Sequence, residues 1–261
     1  MPTRWDPERY LLFAGERGRP FVDLLDRVGA EAPGLVVDLG CGPGNLTALV
    51  AERWPDADVR GVDSSPEMID RARQVDGIDF EVADLRDWVA DRPVDVLISN
   101  ATLQWVPNHL DLLPRLVSLV APGGWFAFQV PGNHAEPSHA LMRRLAADPR
   151  FAEYAGSARG PIAHDPQVYA DRLLELGLTV DAWETTYLHR LSGADPVFTW
   201  ISGTGARPTL QALPGRLRET FVAEYKALLR DAYPPGPNGT TLPFRRVFVV
   251  ARTPGGAASV G

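Results

Sequence analysis

Cysteine is nearly absent. Cys41 is the only one in 261 residues, so no internal disulfide can form, which fits a reducing compartment. No apolar run approaches the roughly 20 residues needed to cross a bilayer. The opening residues, Met1 to Asp6, lack a charged-then-apolar leader pattern, and the expected location is the cytoplasm. The 26 lysines and arginines are outnumbered by 33 acids, and the net formal charge of −7 argues against a nucleic-acid footprint. Lysine is reduced to Lys226, and every other basic side chain except histidine is arginine. With abundant alanine, proline and glycine, this looks like the codon bias of a GC-rich genome. Arginine is therefore weaker evidence of planar anion recognition here than elsewhere. There is no internal repeat and no coiled-coil heptad, and no metal is expected. The length suffices for a single domain with a full core and inserted segments.

What is present is concentrated early. Val36-Val37-Asp38-Leu39-Gly40-Cys41-Gly42-Pro43-Gly44-Asn45 is a β-branched apolar run ending in an acid, followed by glycines at alternate positions. Glycines so spaced let a strand turn sharply into a helix, here Leu46 to Arg53, while a ligand approaches bare backbone. Dinucleotide-binding loops look similar, but they carry a third glycine where this chain has Asn45. Asp38 would repel a pyrophosphate and suits a cation. S-adenosylmethionine (SAM) has no phosphate and carries an ammonium and a sulfonium, so it fits better than NAD. Cys41 reads as a small filler in this loop rather than as a nucleophile.

Four more strands follow at the spacing of a doubly wound sheet. Val59 to Asp63 ends in an acid about 20 residues past the loop, where such folds place the carboxylate for ribose hydroxyls. Ser65, Pro66 and Glu67 open the next helix as cap, first turn and dipole partner. Glu67 and Arg71 read as a solvated i,i+4 pair. Phe80 to Leu85 places Asp84 as an acceptor for an adenine amino group. Val94 to Ala101 ends in small polar residues, and Leu119 to Val130 turns through Pro122-Gly123-Gly124. Over about residues 34 to 131 the series resembles the class I SAM-dependent methyltransferases. That resemblance implies a cofactor site of Asp38, Gly40, Gly42, Gly44, Asp63, Ser64, Met68, Asp84, Leu85, Asn100 and Ala101, with S-adenosylhomocysteine as product.

After residue 131 the pattern turns helical. Pro137 to Ala147 and Pro166 to Leu176 have helical spacing, Leu178 to Leu191 reads as a sixth strand, and Leu242 to Arg252 as a seventh. Residues 195–232 read as helix broken by Gly203, Gly205, Pro208 and Pro214, and Thr253 to Gly261 as a frayed tail. The expected fold is α/β: a doubly wound, Rossmann-like, seven-stranded, mostly parallel sheet with a helical lid around the late strands. One methyltransferase domain spans 1–261, with an N-terminal cover (1–30), a SAM-binding core (34–131) and lid segments at about 132–165 and 195–240.

The second resemblance covers nearly the whole chain. Trp5-Asp6-Pro7-Glu8-Arg9-Tyr10-Leu11, Asn100 to Pro107, Glu184 to His189, Thr204 to Pro208 and Phe244 to Phe248 together resemble the trans-aconitate methyltransferases. His134, where an aromatic is common, and Arg245, an added charge, depart from that pattern. The resemblance implies O-methylation of one carboxylate of trans-aconitate, an off-pathway isomer that inhibits aconitase. An alternative is another small carboxylic or hydroxylated metabolite; different classes are a SAM-binding regulator without turnover and an NAD-linked oxidoreductase.

The chemistry can be argued without the name. A tricarboxylate is ionised at neutral pH, so methyl transfer to it needs no general base, and no catalytic residue beyond positioning groups is expected. The oxygen must sit about 3 Å from the methyl, in line with the departing sulfur. Charge is annihilated as carboxylate meets sulfonium, which favours a dry pocket. Bidentate arginines suit the spectator carboxylates, whereas hydroxyl or amide donors suit the reacting one. The substrate candidates are Arg17, Trp105, Asn133, Tyr187, Arg207 and Arg246, with Arg19 assigned to the methionine carboxylate of SAM. Arg245 and Arg246 alternate along a strand, so only one faces inward, and Arg246 is favoured. His189 shares the face of Tyr187, and its plainer reading is a surface imidazole. The oligomeric state is left open.

Overall fold

Residues 14–156 and 160–255 are described by the structure, a computed structural model, with side chains from residue 18 onward. The elements run α1 (Ala14–Leu25), β1 (Leu35–Leu39), α2 (Thr47–Arg53), β2 (Asp58–Asp63), α3 (Pro66–Ala72), β3 (Asp79–Val82), β4 (Val94–Asn100), a 3-10 turn (Leu103–Trp105), α4 (His109–Ser118) and β5 (Val120–Pro131). They continue with α5 (Pro137–Ala146), α6 (Pro149–Ala155), α7 (Pro166–Glu175), β6 (Thr179–Leu191), α8 (Pro196–Ser202), α9 (Arg207–Ala212), α10 (Gly215–Ala232) and β7 (Thr240–Arg252).

The strands form one seven-stranded sheet in the order β3-β2-β1-β4-β5-β7-β6. β1 to β5 are mutually parallel, and β7 runs antiparallel between β5 and β6. β1 lies at the centre and is buried along its whole length, as a parallel strand covered on both faces must be. Alternation then splits its side chains. Leu35, Val37 and Leu39 join Leu113, Tyr169 and Leu173 in one core, while Val36 joins Phe21, Leu24 and Val50 in the core on the other face. Asp38 shares the face of Val36.

Local chemistry explains many of the helix starts. Six helices open on a proline in the first turn, where the missing amide hydrogen costs nothing: α3, α5, α6, α7, α8 and α9. Ser65 caps α3 by accepting from the Met68 amide at 3.3 Å. Glu67 accepts from the Ser65 hydroxyl and Arg71 turns to Gln74, so the expected i,i+4 pair is not the arrangement found.

A third apolar cluster lies outside the two sheet cores. It is built from α5, α6 and α8 to α10, with Phe151, Trp200, Phe221 and Tyr225 packed against Leu191, Leu242 and Phe244. The last three lie where the long β6–β7 pair ends, with Leu191 opposite Thr240. This pair thus carries the helical cluster at one end while its other end pairs within the main sheet.

Candidate functional site

The site is built at the C-terminal edge of β1, β2 and β4, where strand order reverses between β1 and β4 and open α/β sheets bind ligands. The glycine loop leaves β1 with Gly40 at φ 82° and Gly42 at φ 56°, both in the left-handed region. Among the described residues a Cβ on Gly42 would meet nothing within 4 Å, so the backbone there leaves room that a ligand can enter. A Cβ on Gly40 would lie 2.1 Å from Thr102 Oγ1. Clash and dihedral together set a cost: Gly40→Ala should destabilise the fold by about 2–4 kcal/mol, read as a lower denaturant midpoint at unchanged slope.

Thr102 locks this loop to the end of β4, donating to the carbonyls of Gly40 and Asn100 at 3.3 and 3.1 Å. Between them Ala101 is held at φ 52°, a strained position for a residue with a Cβ. It persists because the Ala101 amide donates to the Gln129 carbonyl at 2.9 Å and the Ala101 carbonyl accepts from Gln104 Nε2 at 2.5 Å.

Three acids were expected at the strand ends. Asp38 is almost fully buried and accepts from the Thr47 hydroxyl at 2.8 Å through Oδ2. Its Oδ1 is buried with no hydrogen-bond partner among the described residues, as is Asn45 Oδ1. Burial pushes the Asp38 carboxyl up to about 7, against the pull of Thr47 and with a smaller push from Asp63. Asp63 braces the loop, accepting from the amides of Gly42 at 3.0 Å and Ser65 at 2.9 Å. Burial also raises its carboxyl, less the effect of those amides. Two carboxylate oxygens offer about four acceptor positions, so hydroxyl ligands can still be added. Asp84 lies two residues past the end of β3 and is engaged by Arg86, whose side chain bonds both carboxylate oxygens and lowers the carboxyl pKa. Ser64 is exposed, whereas Met68 and Leu85 are buried, Leu85 in a sheet core. Cys41 is buried, and burial drives its thiol far above the usual range, so it fills space.

Next to Asn100 and Ala101 lies a cavity of about 70 Å³, which shares the walls Gln104, Trp105, His134 and His139 with a broader groove of about 660 Å³. Trp105, Asn133, Trp200, Phe244 and Arg246 line the inner part. Arg246 is 5% exposed, with its guanidinium 4.7 Å from the Phe244 ring centre and Nη1 donating to Gln129 Oε1 at 3.3 Å. Gln129 in turn donates to Asn100 Oδ1 at 2.8 Å. A buried polar chain, Asn100–Gln129–Arg246, therefore joins the glycine-loop side to the cavity. Its neighbour Arg245 points the other way, paired with Glu184 and Asp165.

The family profile described as a methyltransferase domain matches residues 13–181. The chain is 51% identical, over 98% of its length and 88% of the relative's, to a trans-aconitate 2-methyltransferase of Streptomyces coelicolor. It is 48% identical, over 98% of its own length and 100% of the relative's, to the Mycobacterium tuberculosis protein of the same name. This chain belongs to the trans-aconitate 2-methyltransferase family. Solved structures agree on the fold alone. A phosphoethanolamine N-methyltransferase of Haemonchus contortus superposes with TM-score 0.55 at 17% identity, covering 90% of this chain and 52% of that one. The YcgJ protein of Bacillus subtilis gives 0.56 at 14% identity, covering 91% and 99%. The sheet is the class I methyltransferase fold expected from the sequence.

Within this family member, the expected acceptor residues separate into two groups. The structure brings Trp105, Asn133 and Arg246 to one cavity. The amide of Asn133 is nevertheless committed to strand-like pairing, donating to the Arg245 carbonyl at 2.9 Å and accepting from the Arg245 amide at 2.8 Å. Tyr187 and Arg207 are not among the lining residues. The Tyr187 hydroxyl donates to Asp23 at 2.5 Å, and Arg19, itself exposed, lies 5.3 Å over the ring. Arg207 opens α9. The Arg17 side chain and residues 1–13 of the expected cover lie outside the described residues. His189 is 6% exposed, its ring 4.5 Å from that of Trp200 and tilted 31° to it, so the surface reading is corrected: the imidazole of β6 packs under α8. Gln104, Gln129, Trp200, Phe244 and Gly205 were not foreseen as wall or network residues. Of these only Gln129 carried a signal, as the lone polar residue in the apolar run Trp125 to Val130.

Proposed function

We propose that this chain transfers the methyl group of SAM to one carboxylate of trans-aconitate, giving the monomethyl ester. The observation that carries the reading is a buried arginine, Arg246, in a cavity walled by Asn100 and Ala101 of the glycine-loop edge. A guanidinium in the cavity wall gives it a fixed positive charge, which suits an anionic acceptor. The relatives' shared name specifies such an acceptor, trans-aconitate, a small polycarboxylate.

The residues present fit SAM. Asp38 Oδ1, buried and lacking a partner among the described residues, suits an ammonium. The open face at Gly42 admits a ligand against backbone, and Asp63 retains acceptor positions for ribose hydroxyls. Arg19 would hold the methionine carboxylate, Met68 and Leu85 the adenine faces, and Asp84, swung off Arg86, the adenine amino group. When bound, SAM supplies an electrophilic methyl on a cationic sulfur. The chain's own work is then positioning. Arg246 anchors a spectator carboxylate, Phe244 and Trp200 exclude water beside it, and Trp105 walls the methyl side. No group need take a proton, because the attacking carboxylate is already ionised. The helices of 132–165 and 195–240 act as the lid of one domain, with residues 1–30 as its cover. A soluble metabolite as partner and a cytoplasmic site of action complete the reading; among the described residues no helix is long and apolar enough to cross a membrane.

The test is release of S-adenosylhomocysteine on adding trans-aconitate to enzyme and SAM. Release that requires the acid is expected. Release at the same rate without it, or none at all, would overturn the reading.

A further inference from the structure

His134 lies three residues past the end of β5 and lines both the inner cavity and the broader groove. Its Nε2 is buried with no hydrogen-bond partner among the described residues. The backbone around it is fixed: Arg143 of α5 donates to the His134 carbonyl at 2.6 Å, and Asn133 is pinned to β7. The ring also packs edge-on against His139 at 5.9 Å, and His139 is itself occupied by Ser138 Oγ at 3.1 Å. A buried imidazole nitrogen without a partner among the described residues, on a side chain that lines a cavity, is either a defect of about 1–3 kcal/mol or a ligand contact made when the pocket fills.

We propose that His134 is an acceptor-binding residue whose Nε2–H donates to a carboxylate of the bound polyanion, and that the ring takes up one proton from solvent as that anion enters. This rests on the proposed acceptor being a polycarboxylate. The charges facing the ring argue for the uptake. Arg143 and His139 approach from α5, His164 from the segment before α7, and Arg246 lines the same cavity from β7. Glu136, two residues on, heads α5. In the ligand-free protein burial first, then Arg143 and His164, hold the imidazole down at about 4, so it is neutral at pH 7. An entering anion reverses the local field and raises the imidazole toward and past neutrality. Affinity should accordingly fall as pH rises through the bound-state value.

The experiment is calorimetric titration of trans-aconitate into the full chain saturated with S-adenosylhomocysteine, at pH 7.5 in buffers of low and high ionisation enthalpy. The wild type should show net uptake approaching one proton per acceptor bound. His134→Phe, which keeps a ring, should lose most of that uptake and bind about tenfold more weakly. His134→Gln keeps a donor and should recover affinity without recovering uptake, and it also guards against a variant that misfolds. Binding with no buffer dependence in the wild type, or with unchanged uptake in both variants, overturns the proposal while leaving the acceptor assignment intact. No binding of trans-aconitate at all would remove both.

Discussion

Asp38→Asn is expected to weaken SAM binding by about a hundredfold or more while making the ligand-free protein more stable at neutral pH. Both effects come from one buried carboxylate. Thr47 occupies Oδ2, so asparagine would keep its carbonyl on Thr47 and turn its NH2 toward the position of the orphaned Oδ1. A donor would then face the cofactor's ammonium where an acceptor is needed. On stability, the sign follows from the raised pKa. Between pH 4 and 7 the native carboxyl, pushed to about 7, binds more protons than the unfolded one at 3.8, so native stability falls as pH rises. That loss is absent below about pH 4 and complete above about pH 7, reaching on the order of 3–4 kcal/mol. Asparagine removes it but buries an amide with an unmatched donor, costing about 1–3 kcal/mol. A net gain of about 1–2 kcal/mol near pH 7, shrinking toward pH 4, is expected in denaturant melts of the ligand-free protein. The wild type's SAM affinity should also rise about tenfold from pH 5.5 to 7, with a flat profile in the variant. A variant that binds SAM normally would remove Asp38 from the cofactor site.

Arg246→Lys should reduce kcat/KM for trans-aconitate about a hundredfold, with SAM affinity unchanged within about twofold. The charge survives the change, so the loss measures geometry. A lysine cannot make the two parallel bonds of a guanidinium to a carboxylate, cannot lie flat against Phe244, and lets go of Gln129. The adjacent residue supplies the control. Arg245 is on the opposite face of the same strand, where it pairs with Glu184 and Asp165 near the surface. Arg245→Lys should therefore change kcat/KM by less than about twofold. Equal losses at both positions would mean that β7 stability, rather than anion contact, sets the rate.

These contrasts show what the amino-acid order makes legible. The glycine loop, the acids after it and the strand series are local patterns, and alternation requires that only one of Arg245 and Arg246 face inward; the buried one is Arg246. The proline-opened helices are readable for the same reason, although α1, α4 and α6 were not read from the sequence. α4 carries Pro114 inside it, and α6 is only seven residues long. What stayed hidden was the choice of distant partner. Asn133 looks like a ligand contact at a strand end, yet a backbone 112 residues away takes both of its amide groups. Tyr187 looks like a free donor until Asp23 of α1 is placed beside it. Similarly, His189 alternates with exposed residues on β6 and is buried only because α8 returns across that strand. Local spacing fixes which face a side chain takes, but the partner on that face depends on which other element the fold lays against it.

The most direct measurement is a competition. Enzyme and methyl-labelled SAM are given equal concentrations of trans-aconitate, cis-aconitate, citrate and isocitrate, and the labelled products are identified by mass spectrometry before and after mild base. A base-labile monomethyl ester, formed predominantly on trans-aconitate, is expected. Label found on a hydroxyl oxygen, or spread evenly over the four acids, would contradict it.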